Sequence, residues 1–119
     1  MVDRRWTLAR DSLEQKRNQN PNSAKLHFVA VGEPTTLAGG AVRVLPIDGI
    51  GSEVALMAYL PNEKLLWASD YIQTLDEPSF YAAEVLRAAE RAGIQPQRFA
   101  AEHVSINDWQ QVRSAQQRK

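Results

Sequence analysis

Cysteine is absent from this sequence of 119 residues, which excludes disulfide bonds and metal sites built from thiolates. No stretch approaches the ~20 consecutive apolar residues that cross a membrane, and the first residues lack the apolar segment of a signal peptide. An excess of charge is lacking too, because 14 basic residues balance 14 acidic ones. Neutrality argues against nucleic acid or an anionic membrane as the main partner. We therefore expect a cytoplasmic protein with neither partner.

The length suits one domain with a hydrophobic core and is too short for two ordinary ones. Residues 1–24 are predicted to hold an N-terminal helix over Thr7–Arg17 and a linker, and residues 25–119 are predicted to form the domain. The element order is helix, four strands, helix, strand, helix. This order indicates an α+β fold, with a mostly antiparallel sheet of about five strands and helices on one face. The predicted strands are Leu26–Val31, Ala41–Ile47, Val54–Leu60, Leu65–Ser69 and Arg98–Ala101.

The stretch Val54–Asp70 is the most informative part of the sequence. Val54–Leu60 alternates its side chains between two faces that are both apolar, so the strand expects cover on both sides. The next four residues, Pro61 to Lys64, have turn composition. A second strand then leads to Asp70, whose carboxylate either points into a site or is solvated, as most Asp side chains are.

Two helices have clear sequence signals. Ser79–Ala92 carries an apolar stripe at helical spacing, with Gly93 placed to end the helix in the left-handed conformation. Glu84 and Arg87 are spaced to pair on its surface. The last helix is predicted to begin at Ser105, with Asp108 as the partner in a capping box. Its buried side is predicted to consist of Ile106, Trp109 and Val112.

Histidine is scarce, and the two present differ in position. His27 lies inside the first predicted strand, where a structural role is expected. His103 follows one strand and precedes the last helix, as Asp70 follows another strand, so the two residues can share one edge of the sheet. Motifs for a nucleophile are missing, and the lone G-x-G at Gly49 to Gly51 does not open a helix, so it is weak evidence of a phosphate site.

The hairpin resembles the metallo-β-lactamase superfamily. In that family a strand ending in Tyr-Leu-Pro leads through a Glu-Lys turn to a strand that closes on Asp. The corresponding residues here are Tyr59-Leu60-Pro61, Glu63-Lys64 and Ser69-Asp70. The following helix and His103 continue the similarity, which covers Leu26–Val112. The resemblance implies the C-terminal half of that fold, one sheet and its helices from an αββα sandwich.

The resemblance also implies a metal site. The family's acid after this strand binds catalytic metal, commonly zinc, and corresponds to Asp70; the family's last histidine corresponds to His103, followed here by Val104 where glycine is usual. The histidine-rich H-x-H-x-D-H segment of the family is missing. A catalytic zinc generally has three protein ligands plus water, and only Asp48 or Glu53 is a speculative third ligand. We therefore expect no cofactor for one chain, and zinc only where a partner completes the site.

Half of a sandwich leaves one apolar sheet face bare, which favours association with a second copy. The expected function is that of a truncated metallo-β-lactamase-like domain, catalytically inactive alone, acting as a homodimeric binding or scaffold module. The alternative is a metal-dependent hydrolase completed in trans by a second copy or by a separately encoded N-terminal half. A third hypothesis is a fragment with no function of its own. Trp67 is predicted to pack in the core, and the role of Tyr71 is left open.

Overall fold

The computed structural model describes residues 11–12, 14–16, 18–19, 31–47 and 55–117. Among them a single sheet has six strands that lie side by side in sequence order. All neighbouring strands are antiparallel except β4 and β5, which are parallel. The α+β fold with a mostly antiparallel sheet is confirmed. The strands are β1 (Thr35–Leu37), β2 (Val42–Ile47), β3 (Ala55–Leu60), β4 (Leu65–Trp67), β5 (Arg98–Ala101) and β6 (Val104–Asp108).

The hairpin between β3 and β4 has the predicted turn. The Lys64 N–H donates to the Pro61 carbonyl at 3.3 Å, and Lys64 adopts a φ of 50°. The Lys64 carbonyl then accepts from the N–H groups of Gln97 and Arg98, at 2.8 and 3.1 Å. The turn therefore also fixes the point at which β5 joins β4.

At the other end of the sheet, the short edge strand β1 lies outside every strand predicted from the sequence. Its three residues, Thr-Thr-Leu, are too few to show an alternating pattern. The chain turns between β1 and β2 at Gly39 and Gly40, with φ values of 64° and 99°. Of the predicted strand Leu26–Val31, only Val31 lies within the described residues.

The first of the two helices in the C-terminal half of the chain, α1, spans Ala82–Arg91. It begins three residues later than predicted, because Ser79 is committed to the preceding loop: its hydroxyl accepts from the Gln73 N–H at 3.0 Å. Gly93 ends the helix with a φ of 67°, as predicted. The predicted pair is also present, with Arg87 Nη2 3.2 Å from Glu84 Oε1. The stripe predicted on this helix is buried at Ala82, Val85 and Ala89 and half-buried at Leu86.

The second, α2, spans Trp109–Gln116, and here the prediction of a start at Ser105 is wrong. Pairing with β5 keeps the preceding residues extended, as part of β6. The helix is capped instead by Asp108, whose Oδ1 accepts from the N–H groups of Gln110 and Gln111 at 2.9 and 3.3 Å. Ile106 is consequently a strand residue and 57% exposed, not buried as predicted.

The hydrophobic core lies between one face of the sheet and both helices. The rings of Phe99 on β5 and Trp109 on α2 stack with centroids 5.7 Å apart. The buried residues of the strands and of α1 belong to one contiguous cluster with Trp109 and Val112 of α2, which places α1 and α2 on the same face of the sheet. The strand residues of this cluster include Leu45, Ile47, Ala55, Met57, Tyr59, Leu66 and Phe99.

The other face of the sheet is apolar and is left without a helix by the described residues. We call it the open sheet face, and its central residues are Val44, Leu56, Ala58, Leu60, Leu65 and Trp67. Trp67 is 40% exposed there, which corrects the prediction that it packs in the core. The strand that was expected to be covered on both sides is thus covered on one among the described residues.

The predicted N-terminal helix Thr7–Arg17 is described only in part. Residues 11, 12 and 14–16 are helical, and the other residues of this prediction lie outside the described residues.

No helix in the described part of the chain is both long and apolar enough to cross a bilayer.

The glutamine at the end of α2 connects that helix to the loop before α1. Gln116 is 5% exposed. Its Oε1 accepts from the Ser79 N–H at 2.6 Å, and its Nε2 donates to the Thr74 carbonyl at 2.7 Å. A buried amide that satisfies two backbone groups holds the loop in one conformation.

Gln116→Ala should lower the free energy of unfolding by about 1–3 kcal/mol, because two part-buried backbone groups lose their partners. Urea unfolding measures the change. Gln110→Ala, at an exposed position on the same helix, is the matched control and should stay within about 0.5 kcal/mol of the unsubstituted protein. Equal effects of the two substitutions would contradict the role given to Gln116.

Candidate functional site

The candidate site lies where β4 and β5 end. The two strands are parallel, so their carboxyl ends meet at one edge of the sheet. The pairing continues beyond both strands: the Ala68 N–H donates to the Ala100 carbonyl at 3.2 Å, and the Glu102 N–H donates to the Ser69 carbonyl at 2.7 Å. Residues 69 and 102 are therefore direct backbone neighbours.

Asp70 and His103 each follow one partner of that last hydrogen bond. Both are exposed. His103 lies in the two-residue turn between β5 and β6, so the expectation that it precedes a helix is wrong. The segments that carry the two residues are adjacent at one edge of the sheet. Their proposed joint role as metal ligands stays a prediction.

Backbone geometry directs the chain at this edge. Ser69 has a φ of 47°, a left-handed conformation that is uncommon for residues other than Gly, Asn and Asp. The conformation turns the chain away from β4 immediately before Asp70. The Tyr71 N–H then donates to the Ala68 carbonyl at 3.0 Å, which closes the turn.

An aromatic cluster follows Asp70. The ring of Tyr71 packs edge-on against Tyr81, with centroids 6.0 Å apart, and Tyr81 packs edge-on against Phe80 at 4.9 Å. Phe80 is 90% exposed. The sequence leaves the role of Tyr71 open and gives no signal for Phe80, which falls inside the predicted helix Ser79–Ala92 but lies before α1 in the structure.

Solved structures provide the comparison with known proteins. TMB-1, from a structural study of substrate and inhibitor binding, matches with 15% sequence identity and a TM-score of 0.54, over 87% of this chain and 50% of that one. Two structures of the metallo-β-lactamase DIM-1, one of them exposed to ceftazidime, match with 17% and 19% identity and TM-scores of 0.56 and 0.54. Each covers 88% of this chain.

The fold is that of half a metallo-β-lactamase. The chain spans 50% to 51% of the length of the three matching structures. No protein-family model matches the sequence, and no curated protein matches it significantly. At these identities the similarity establishes the fold, and the fold alone.

The half-domain can be tested against the metal that the fold family implies. Among the described residues, no group of three or more His, Cys, Asp or Glu side chains is placed to hold a metal ion. A catalytic zinc generally needs three protein ligands, so Asp70 and His103 alone do not fit the group. The speculative third ligands, Asp48 and Glu53, lie outside the described residues, as does His27.

Ser69→Val should destabilise the half-domain by about 1–3 kcal/mol, because a β-branched side chain is strained at a positive φ. Ser69→Gly should not, since glycine adopts this conformation freely. The free energy of unfolding in urea is the measurement. Ser105, an extended residue of β6, is the control position, and there the Val variant should be more stable than the Gly variant. The same order of stability at both positions would refute the strain at Ser69.

Proposed function

We propose that this metallo-β-lactamase-like half-domain is a binding or scaffold module that works as a homodimer, with a second copy covering the open sheet face. The observation that carries the proposal is the one-sided burial of the sheet. Both helices pack on the same face, and the opposite face is apolar across β2, β3 and β4. A sheet with such a face is stable when another layer covers it.

The gain from covering this face is substantial. Trp67 and Leu56 are 40% and 37% exposed, and four more apolar side chains of the face are half-buried. Full burial of a large apolar side chain stabilises by about 1.5–3 kcal/mol. The remaining exposed parts are therefore worth several kcal/mol over two copies, and this gain favours covering the face.

A second copy is the occupant that the fold favours. The match covers about half of each of the three structures, and the resemblance implies that the complete fold stacks two similar sheets face to face. Two copies related by a two-fold axis would supply two such sheets, and two-fold dimers are the commonest oligomers. The central position of Trp67, between Ala58 and Ala100 in register, makes it the natural anchor of the interface.

The proposed module has no metal-dependent hydrolase activity of its own. The support is the donor set: the described residues bring Asp70 and His103 to one edge and add no third ligand there. Two ligands hold a zinc ion poorly, and a bound water becomes a nucleophile only where the metal is held.

Trp67→Lys should convert the dimer into a monomer while the half-domain stays folded. The substitution removes the anchor and sets two like charges against each other near the two-fold axis. Size-exclusion chromatography with light scattering at micromolar concentrations measures the mass, and circular dichroism checks the fold.

Glu90→Lys is the matched control, because it makes a charge change at an exposed position of α1, away from the open sheet face. It should leave the dimer intact. A monomeric unsubstituted protein, or a Trp67→Lys variant that remains dimeric, would refute the proposal. A heterodimer with a separately encoded chain would show the face to have another occupant.

The alternative function is a metal-dependent hydrolase whose site is completed in trans. The hydrogen bond between Glu102 and Ser69 favours it, because this bond brings the segments bearing Asp70 and His103 together. In this alternative, a second chain adds the missing ligands at that edge.

Elemental analysis of protein purified without a histidine tag separates the two functions. We expect no stoichiometric zinc, iron or manganese, and a melting temperature that added zinc leaves unchanged, because two ligands do not hold the ion. Stoichiometric metal that Asp70→Ala and His103→Ala remove, but that Asp76→Ala retains, would instead establish the alternative.

A further inference from the structure

Phe80 is the most exposed large hydrophobic side chain among the described residues, at 90%, against 57% for Ile106 and 40% or less for the others. A phenylalanine left in water forgoes the free energy that burial of its ring would provide. It lies in residues 70–81, which we call the acidic aromatic loop. The open sheet face contains none of these residues, so the following argument does not depend on the proposed dimer.

Hydrogen bonds fix the backbone of the loop up to the residue before Phe80. Gln116 bonds to the backbone of Thr74 and Ser79 at 2.7 and 2.6 Å, and the Ser79 hydroxyl accepts from the Gln73 N–H at 3.0 Å. The Phe80 ring stands perpendicular to that of Tyr81. An exposed ring that is already ordered loses little conformational entropy when a partner covers it.

The charge of the loop is of one sign. Residues 70–81 contain Asp70, Asp76 and Glu77 and neither Lys nor Arg, in a chain with zero net charge. All three acids are exposed. Within the described part of the chain, the carboxylates of Asp76 and Glu77 take part in no ion pair or hydrogen bond, although the Asp76 N–H donates to the Thr74 hydroxyl.

We infer that the acidic aromatic loop docks an arginine-bearing peptide segment of another protein, with the guanidinium stacked on Phe80 and paired with Asp76 or Glu77. Arginine matches both halves of this surface. Its planar guanidinium stacks on aromatic faces and bonds to carboxylates through two parallel N–H groups. A lysine ammonium pairs with the acids as a point charge and lacks the stacking plane.

Selection from a random dodecapeptide library displayed on phage tests this inference on the full chain. Peptides selected on the unsubstituted protein should be enriched in arginine over the starting library. A synthetic copy of a selected peptide should bind Phe80→Ala at least about tenfold more weakly, since loss of an aromatic anchor costs 1.4 kcal/mol or more. Asp76→Asn combined with Glu77→Gln should weaken binding severalfold and reduce its dependence on salt.

Four controls make the outcome decisive. Phe80→Tyr keeps the ring and should retain most of the affinity, and Glu90→Gln removes an acid on α1 without affecting binding. An arginine-to-citrulline peptide, which keeps the shape and loses the charge, should bind severalfold more weakly. Light scattering of Phe80→Ala should give the mass of the unsubstituted protein, because the loop is separate from the open sheet face.

The opposite results would overturn the inference. Selection of no peptide, selection without arginine enrichment, or equal binding to Phe80→Ala would each refute the docking of an arginine segment. A change of oligomeric state in Phe80→Ala would assign the ring to contact between copies of this chain. Failed selection, selection without arginine enrichment and equal binding to Phe80→Ala leave the Trp67→Lys experiment unaffected, so the two proposals can fail independently.

Discussion

The parallel pairing of β4 with β5 is the constraint on which the rest of the structure depends. β1 to β4 form a meander of neighbouring antiparallel strands, and β5 and β6 form a hairpin; only the β4–β5 ladder joins these two parts of the sheet. A parallel connection needs a crossover, and here it contains α1. The chain must come back beside β4 to add β5 in parallel, so α1 crosses one face of the sheet and lies over the core.

That constraint also explains the candidate site. Parallel strands end at the same edge, and the hydrogen bond from Glu102 to Ser69 extends the pairing beyond both strands. The residues after the two strands therefore lie close in space although they are distant in sequence. The same topology leaves α1 and α2 on one face. The site and the open sheet face therefore both follow from the way β5 is joined to β4.

Sequence patterns predicted the parts of the fold that local rules govern. The β3–β4 turn, the strand Arg98–Ala101 and the end of α1 at Gly93 were found because proline, alternation and glycine act over a few residues. The start of α2 was misplaced because both Ser105 and Asp108 are good helix caps, and pairing with β5 decided between them. Local sequence carries no information on that choice.

The site was predictable in outline and not in detail. Strand ends at Asp70 and near His103 followed from apolar patterns, whereas the turn that contains His103 depends on the unpredicted strand β6. The sequence also does not show which face of the sheet stays uncovered. Leu56 and Met57 have similar hydrophobicity, and only the position of the helices makes Met57 buried and Leu56 exposed. The exposure of Phe80 likewise arises from the loop's contacts with Gln116.

The position of Gln116 in the last turn of α2 has a consequence for motion. Helix ends fray, and the last turn opens more readily than the middle of a helix. Each such opening would break the bonds to Thr74 and Ser79 at once, so the loop and the helix end would loosen as one unit. The Ser79 amide would then exchange its hydrogen with solvent at the rate set by opening of a helix 37 residues away in sequence.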